Sequence, residues 1–285
     1  VPALAVAARR GVQRDLEALF HHLALDGLVE IEALAHAAGG LQHFVGSEVE
    51  FHDGYSVRSR ASAAKGASVM ATKEEIAARV RVDHDAGVAH VRLTRADKRN
   101  ALDGAMFQAI AQAGERLKND LSVRAVVVSG DGPSFCAGLD FGSFQAMGSG
   151  GNGTGGNASQ NGADIGAMVE GRITHLAQQI AWVWQEVPVP VVAALAGHAL
   201  GGGMQLALGA DIRIAHPDTK LSMREVHWGL IPDMTGTLML SRLVRDDVMK
   251  DLVFTGRILP ASEGAALGLV TRLSNDPVAD ALAVA

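Results

Sequence analysis

The sequence predicts an α/β protein, because short apolar runs typical of buried strands alternate with stretches of helical periodicity from Val80 onward. The first of these strand patterns is followed directly by a second, across a turn rich in small residues. The composition agrees with a folded core, since 48% of the 285 residues are hydrophobic and 20% are charged.

The elements follow in order along the chain. The stretch VRVDHDAGVAHVRLTR, residues 80–95, alternates apolar and polar positions and predicts a hairpin that turns at Asp85-Ala86-Gly87. Residues 103–119 predict an amphipathic helix with Asp103 as its N-cap. Three short apolar segments then predict buried strands, at 124–130, 189–197 and 210–215.

Two stretches are expected to stand outside this pattern. Residues 1–69 predict an N-terminal extension and linker of unknown function, so that the functional domain covers 70–285. The five histidines of the extension do not repeat at the spacing of metal-ligand pairs, and no metal site is predicted. The segment GSGGNGTGGNASQNG, residues 148–162, is rich in glycine and predicts a flexible surface insertion.

Charge, hydropathy and cysteine usage narrow the class of protein. The net charge is −6 and the basic residues are not clustered, so a nucleic-acid partner is not expected. No apolar run of the sequence reaches the ~20 residues that span a bilayer, which predicts no membrane partner. A single cysteine, Cys136, indicates a reducing compartment and a cytoplasmic location. With no general base marked in the sequence, Cys136 is expected to be a buried apolar residue rather than a nucleophile.

A run of three glycines suggests a ligand site. In GHALGGGMQLALGADIRIA, residues 197–215, a strand ends at Leu195 and a helix is predicted to begin near Gly201. Backbone N–H groups in the first turn of a helix attract negative charge, and glycine lets a ligand approach them. The spacing matches neither a P-loop nor a dinucleotide fingerprint. Close packing of the helix against the strand is the alternative explanation.

A second loop strengthens the interpretation as a ligand site. RAVVVSGDGPSFCAGLDF, residues 124–141, is also a strand followed by a glycine-bearing turn, and it offers N–H groups near Ala137. If the two loops meet, two donors converge on one oxygen and form an oxyanion hole. A donor of that kind is worth about 10²–10³ in rate.

Four segments of the chain, in this order, resemble the crotonase superfamily, the enoyl-CoA hydratase/isomerase family. They are DKRNALDGAM (97–106), SGDGPSFCAGLDF (129–141), PVPVVAALAGHALGGGMQLALGADIRIA (188–215) and LSMREVHWGLIPDMTGTLML (221–240). The resemblance implies a spiral of ββα units, a homotrimer or hexamer, and an acyl-CoA substrate with no cofactor beyond the coenzyme A of that substrate. It implies an oxyanion hole made by the backbone N–H groups of Ala137 and Gly202. Family members continue past residue 273 with further helices, so the C-terminal helical region is expected to be truncated.

The resemblance also assigns residues that bind the substrate. The segment 97–101 lines the CoA pocket of the family, which places Lys98 and Arg99 near the CoA phosphates and Ala101 beside them. A solvated turn is the alternative role for the two basic residues. Asp140 is expected to cap or orient the first loop, and Gly201 to lie against the substrate at the second.

The predicted acid/base residues depart from the hydratase pattern. Family hydratases carry glutamates at the positions of Gln205 and Glu225, and a glutamine cannot exchange a proton. Glu225 with Asp233 resembles the stretch used by dienoyl-CoA isomerases, which carry aspartate where Gln205 stands. The resemblance therefore favours double-bond isomerisation over hydration. An enoyl-CoA hydratase of fatty-acid degradation and a catalytically silent acyl-CoA-binding homologue remain as alternatives.

Overall fold

The computed structural model describes residues 71–140, 166, 168 and 172–285. The predictions for residues 1–69 and for the glycine-rich segment 148–162 fall outside the described residues. In the described part of the chain, no helix is both long and apolar enough to cross a membrane.

Two sheets and eight α-helices make up the described part of the chain. The strands are β1 Val80–Asp85, β2 Val88–Leu93, β3 Ala125–Gly130, β4 Val191–Leu195, β5 His198–Leu200, β6 Ile212–Ala215, β7 Lys220–Ser222, β8 Leu259–Pro260 and β9 Arg272–Leu273. The helices are α1 Lys73–Ala77, α2 Gly104–Lys118, α3 Leu176–Glu186, α4 Gly202–Leu208, α5 Gly236–Leu240, α6 Asp246–Thr255, α7 Ala261–Leu267 and α8 Pro277–Val284. Two 3₁₀ helices, Ala96–Lys98 and Glu225–Trp228, lie in the loops. The predicted α/β class is confirmed.

The larger sheet has the strand order β1-β2-β3-β4-β6-β9. Its first pair is the predicted hairpin, with Val80 opposite Leu93 and Asp85 opposite Val88. Ala86 and Gly87 both have positive φ, as a two-residue turn that matches the strand twist requires. The remaining neighbours are parallel, so the carboxyl ends of β3 and β4 lie at the same edge of the sheet.

Helix α2 begins where the sequence predicts. The carboxylate of Asp103 accepts a hydrogen bond from the N–H of Met106 at 2.8 Å and caps the helix. The same carboxylate is paired with Arg79, at 2.8 Å. The apolar side of α2 is buried in the main core together with α3, where Trp184 is almost fully buried.

The smaller sheet was not predicted, and it positions the glycine run. It has the order β5-β7-β8, and β5 occupies the three residues between the turn at Gly197 and the glycines. The loop that follows β3 joins β5 through a parallel bridge: Cys136 N–H donates to the His198 carbonyl at 2.9 Å, and Leu200 N–H donates to the Cys136 carbonyl at 3.1 Å. This bridge brings the two glycine-bearing loops together.

Candidate active site

The two loops approach each other through their glycines. A side-chain carbon built on Gly138 would lie 2.6 Å from the Leu200 carbonyl oxygen and 3.7 Å from the Gly202 nitrogen. A side-chain carbon on Gly203 would overlap the carbonyl oxygen of Cys136. Bare backbone is therefore required for packing at Gly203, as the alternative explanation supposed, while Gly202 lies beside the opposite loop.

The first loop presents a different donor from the one assigned by resemblance. The N–H of Ala137 donates to the carbonyl oxygen of Arg99 at 3.0 Å, so the assignment of this group to an oxyanion hole is corrected. Leu102 pairs with Leu139: its N–H donates to the Gly138 carbonyl at 2.8 Å, and its carbonyl accepts from Asp140 at 3.0 Å. In such a parallel bridge the N–H of the middle residue, Leu139, faces away from its partner.

Two backbone donors are thus left open at this point. Among the described residues, neither the N–H of Leu139 nor that of Gly202 has a hydrogen-bond acceptor. Gly202 is the first residue of α4, where the helix itself provides no acceptor for a backbone N–H. Donors that are held rigidly and left unpaired are ready to bind an oxygen that develops negative charge.

Glu225 is held beside these donors by Gln205. The Nε2 of Gln205 donates to Oε1 of Glu225 at 2.6 Å, and its Oε1 accepts from the N–H of Gly236 at 3.0 Å. Because that N–H can only donate, it fixes which end of the amide faces Glu225. Gln205 is 1% exposed and Glu225 is 8% exposed. The structure therefore brings together the two residues that are 20 positions apart in the sequence.

The electrostatics of Glu225 suit proton exchange. Burial raises the pKa of its carboxyl above the ordinary value, the Gln205 hydrogen bond opposes that rise, and the charge of Asp233 adds to it. The second oxygen, Oε2, is buried and has no hydrogen-bond partner among the described residues. A surface ion pair with Arg224 or Arg242 is not formed, since neither is paired with Glu225.

Asp233 occupies a different environment. It is exposed, its N–H donates to the Ile231 carbonyl at 2.9 Å, and its own carbonyl accepts from the side chain of Gln178 at 3.1 Å. It is close enough for its charge to act on Glu225, as noted above. The residues between them form a 3₁₀ helix and a turn rather than one regular helix, and Gly229 and Pro232 lie in that stretch.

Some of the residues assigned to CoA binding are exposed at the surface, whereas others form contacts within the fold. Lys98 and Arg99 are exposed, and Arg99 has a left-handed backbone with φ 50°. The neighbouring Asn100 fixes this turn by donating to the Ser134 and Asp131 carbonyls at 2.8 and 3.0 Å.

Three other assigned residues have structural contacts. Ala101 is buried, and its carbonyl accepts from Arg95. Asp140 is paired with Arg95 at 2.7 Å, which agrees with its predicted role in orienting the loop. The N–H of Gly201 donates to the Ser222 carbonyl at 2.8 Å and is not available to a ligand, although this glycine lies beside Glu225.

Sequence reasoning missed three residues near this site. Leu139 could be found only from the bridge to Leu102. Lys220 lies on β7; burial lowers the pKa of His198, and the charges of Arg99 and Lys220 add to that effect, so both cations lie near His198. Thr235, next to Gly236, has a positive φ of 69° and a buried hydroxyl without a partner among the described residues. No sequence pattern marks that conformation for a threonine.

Cys136 does not act as a nucleophile. Its side chain is fully buried, its thiol donates to the Asn100 carbonyl at 3.1 Å, and burial raises its pKa to about 12. The prediction of a buried apolar cysteine is confirmed. Within the described ranges, no cluster of three or more histidine, cysteine or acidic side chains is arranged to hold a metal ion.

Comparison with known proteins agrees with this architecture. The family model described as "Enoyl-CoA hydratase/isomerase" matches residues 83–282. The chain is 31% identical over 207 residues to the mitochondrial methylglutaconyl-CoA hydratase of Homo sapiens, covering 72% of this chain and 56% of the relative. It is 33% identical over 215 residues to the mitochondrial enoyl-CoA hydratase domain-containing protein 2 of Homo sapiens, covering 75% and 66% respectively. The chain thus spans about 60% of the length of the curated relatives that it matches.

Solved structures show the same fold. A crystal structure of an enoyl-CoA hydratase/isomerase from Mycobacterium paratuberculosis matches with a TM-score of 0.64 and 27% identity, over 73% of this chain and 77% of that chain. A Thermobifida fusca YX protein assigned as an enoyl-CoA hydratase, crystallised in complex with CoA, matches with a TM-score of 0.59 and 32% identity, over 75% and 80%. Two glycine-bearing loops that meet, together with these matches, lead to one conclusion: the chain belongs to the enoyl-CoA hydratase/isomerase family.

Proposed function

We propose that this protein isomerises the double bond of unsaturated acyl-CoA thioesters through an enolate intermediate. The observation that supports it best is the state of Glu225: one oxygen is held by a neutral amide, and the other is buried and unpaired. This arrangement supplies one buried proton-exchanging group together with the two open backbone donors.

The first step is binding of the thioester carbonyl. Its oxygen accepts hydrogen bonds from the N–H groups of Leu139 and Gly202, which have no other acceptor among the described residues. Removal of a proton next to the carbonyl carbon moves negative charge onto that oxygen. The two donors stabilise this charge, and losing one such donor costs about 10²–10³ in rate.

The second step is proton transfer by Glu225. With a 3-enoyl-CoA, Oε2 takes the proton from C2, the C2–H electron pair enters the conjugated enolate, and the proton returns to C4 to give the 2-enoyl-CoA. The pKa of Glu225, raised by burial, brings the carboxylate closer to the range in which it both accepts and returns a proton. We assign Asp233 a share of the return step in longer conjugated substrates, on the support of the effect of its charge on Glu225.

Recognition of the CoA phosphates is assigned to the cations on one side of the site. Arg99 and Lys220 both act on His198, and Lys98 stands next to Arg99 on the exposed turn. A Thermobifida fusca YX relative of this chain is described in complex with CoA, which supports a CoA ester as the ligand here. Diphosphate and phosphate groups are ordinary partners for exposed arginine and lysine side chains.

Hydration of a 2-enoyl-CoA is the second candidate. It is favoured by the names of the curated relatives, which include methylglutaconyl-CoA hydratase and probable enoyl-CoA hydratase 2 of Arabidopsis thaliana. Against it stands Gln205, since water activation between two acid/base groups needs a second carboxylate where this chain has an amide.

Turnover of a substrate panel tests the proposal. The protein is assayed with 2-enoyl-, 3-enoyl- and 3,5-dienoyl-CoA, and we expect isomerisation to exceed hydration. Glu225→Gln should lower isomerisation at least about a hundredfold, within the range for a general acid/base. Glu74→Gln, an identical change at an exposed position on α1, is the matched control.

The other outcomes are equally distinct. Efficient hydration without isomerisation would contradict the proposal and favour the hydratase alternative. Tight binding of all three thioesters with no turnover would identify a silent acyl-CoA-binding protein.

A further inference from the structure

Thr235 has an unusual backbone conformation next to Gly236, whose N–H donates to Gln205. Its φ of 69° and ψ of 3° are left-handed, and among the described residues it is the only β-branched one with positive φ. Left-handed geometry is unfavourable for a branched side chain, so it persists only where the surroundings impose it.

The surroundings impose it from both sides. Two residues before Thr235, the carbonyl of Asp233 accepts from Gln178 on α3 at 3.1 Å, and the N–H that follows Thr235, that of Gly236, donates to Gln205 on α4 at 3.0 Å. The carbonyl of Thr235 itself accepts from Met239 at 3.0 Å. Strain that is fixed by contacts from three helices is characteristic of functional sites.

The side chain held in this way is chemically unsatisfied. Oγ1 of Thr235 is buried without a hydrogen-bond partner in the described structure, and so is Oε2 of Glu225. Both groups are connected to the same amide: Gln205 bonds Glu225 through Nε2 and Gly236, the neighbour of Thr235, through Oε1. They are not bonded to each other.

Two buried polar groups that are both unsatisfied, and that are linked through the same amide, are complementary to a buried water molecule. Water donates one hydrogen to the carboxylate and accepts or donates one at the hydroxyl, which satisfies both groups. We propose that Thr235 is a positioning residue that holds a water molecule against Oε2 of Glu225. This inference rests on the proposed function of Glu225 as the proton-exchanging group.

The held water is a reactant when the substrate is a 2-enoyl-CoA. Glu225 takes a proton from the water, the oxygen bonds to C3, and the C2–C3 π electrons move into the enolate. Glu225 then returns the proton to C2, giving the 3-hydroxyacyl-CoA with no net change in the enzyme. Thr235 thereby provides a polar contact for the water in a site where the amide of Gln205 replaces the second acid/base group of hydratases.

The test uses three variants of the full chain and two readouts. Thr235→Val keeps the branched shape and the backbone preference but removes the hydroxyl, whereas Thr235→Ser keeps the hydroxyl. The first readout is the ratio of hydration to isomerisation, and we expect Val to lower it at least about tenfold and Ser to restore it to within about threefold of the wild type. Thr235→Gly relieves the backbone strain without a hydroxyl and should behave like Val.

The second readout does not depend on activity. A high-resolution crystal structure of the wild-type protein should show a water within about 3 Å of both Oγ1 and Oε2, and that of the Val variant should lack it. This water decides the inference even if the protein isomerises nothing, so the failure of the proposed function would be recognised separately.

Three results would overturn the inference. They are a hydration-to-isomerisation ratio unchanged by Val, a Ser variant as impaired as Val, and a wild-type crystal structure with no water between the two groups. A Gly variant with the wild-type ratio would count with the first of these, since it too would show that the hydroxyl has no role. Melting temperatures of all variants accompany the assays.

Discussion

Replacing Gln205 by glutamate should convert this site toward hydration. In the structure, Nε2 of Gln205 is 2.6 Å from Oε1 of Glu225, and the other end of the amide accepts from Gly236. A glutamate keeps the acceptor for Gly236 but places two carboxylate oxygens against each other. The change therefore tests the amide's role without removing the hydrogen bond that anchors α5.

The magnitude follows from the separation. Two unit charges at the 2.6 Å of the present contact repel by roughly 6 kcal/mol at an effective dielectric of about 20. Because the side chains can relax, this is an upper estimate, and it corresponds to about 4.5 pKa units. The pair is therefore expected to keep one shared proton at neutral pH, as coupled carboxylates do.

That shared proton changes the chemistry at the site. It supplies an acid next to the base, which is what the addition of water to a 2-enoyl-CoA needs. We expect the hydration rate to rise at least about tenfold, which is less than the ~10²–10⁴ rate contribution typical of a general acid. Hydration is measured by loss of the ultraviolet absorbance of the conjugated thioester. The rate should fall again at alkaline pH, where the shared proton is lost.

The matched control is Gln185→Glu, an equal change at an exposed residue of α3 whose side chain donates only to the Gly209 carbonyl. It should leave hydration unchanged. A folded Gln205→Glu protein with no gain in hydration and no alkaline decline would refute the argument, because it would show that the neutral amide is not what limits water addition.

Three further predictions concern the same region. Gly202→Ala should fold, because its new carbon meets only the ends of Leu102 and a methionine, yet it should lower turnover at least about tenfold by crowding the donor; a fully active variant would place the hole elsewhere. Gly203→Ala should destabilise the fold by about 1–3 kcal/mol or more, measured by denaturant unfolding, because the new carbon overlaps the backbone of Cys136. Since the pKa of Glu225 is raised in the folded protein, its contribution to stability is present at acid pH and is lost as pH rises through that pKa; Glu225→Gln should therefore match the wild-type melting temperature at low pH and exceed it at neutral pH.

Much of the larger sheet could be predicted because its central strands are largely apolar and its first two strands alternate apolar and polar residues. Residues 125–130 and 191–195 are buried on both faces, and the alternation of 80–93 with its turn specifies a hairpin. The strand β5 has only three residues, two of them half-buried. So short a segment has no period of its own, and its pairing depends on contacts with residues that are distant in the sequence.

The site was predictable to the extent that it depends on residue type. Glu225 and Gln205 stand in motifs, and resemblance brought them together across 20 positions. The choice between Ala137 and Leu139 depends instead on which way a peptide N–H faces, and that is set by the bridge to Leu102. The direction in which a backbone N–H points in an irregular loop cannot be predicted from the amino-acid sequence.

The close passage of Gly138 past Leu200 and Gly202 has a consequence for engineering this protein. The two groups that we propose to bind the thioester oxygen are peptide nitrogens held by a backbone crossing, so they should stay constant when neighbouring side chains are exchanged. A mutant library that leaves both glycines intact and randomises the four positions 205, 225, 233 and 235 would hold charge stabilisation fixed while sampling different proton and water chemistries. New reaction outcomes should then be reachable by few substitutions, with the enolate common to all of them.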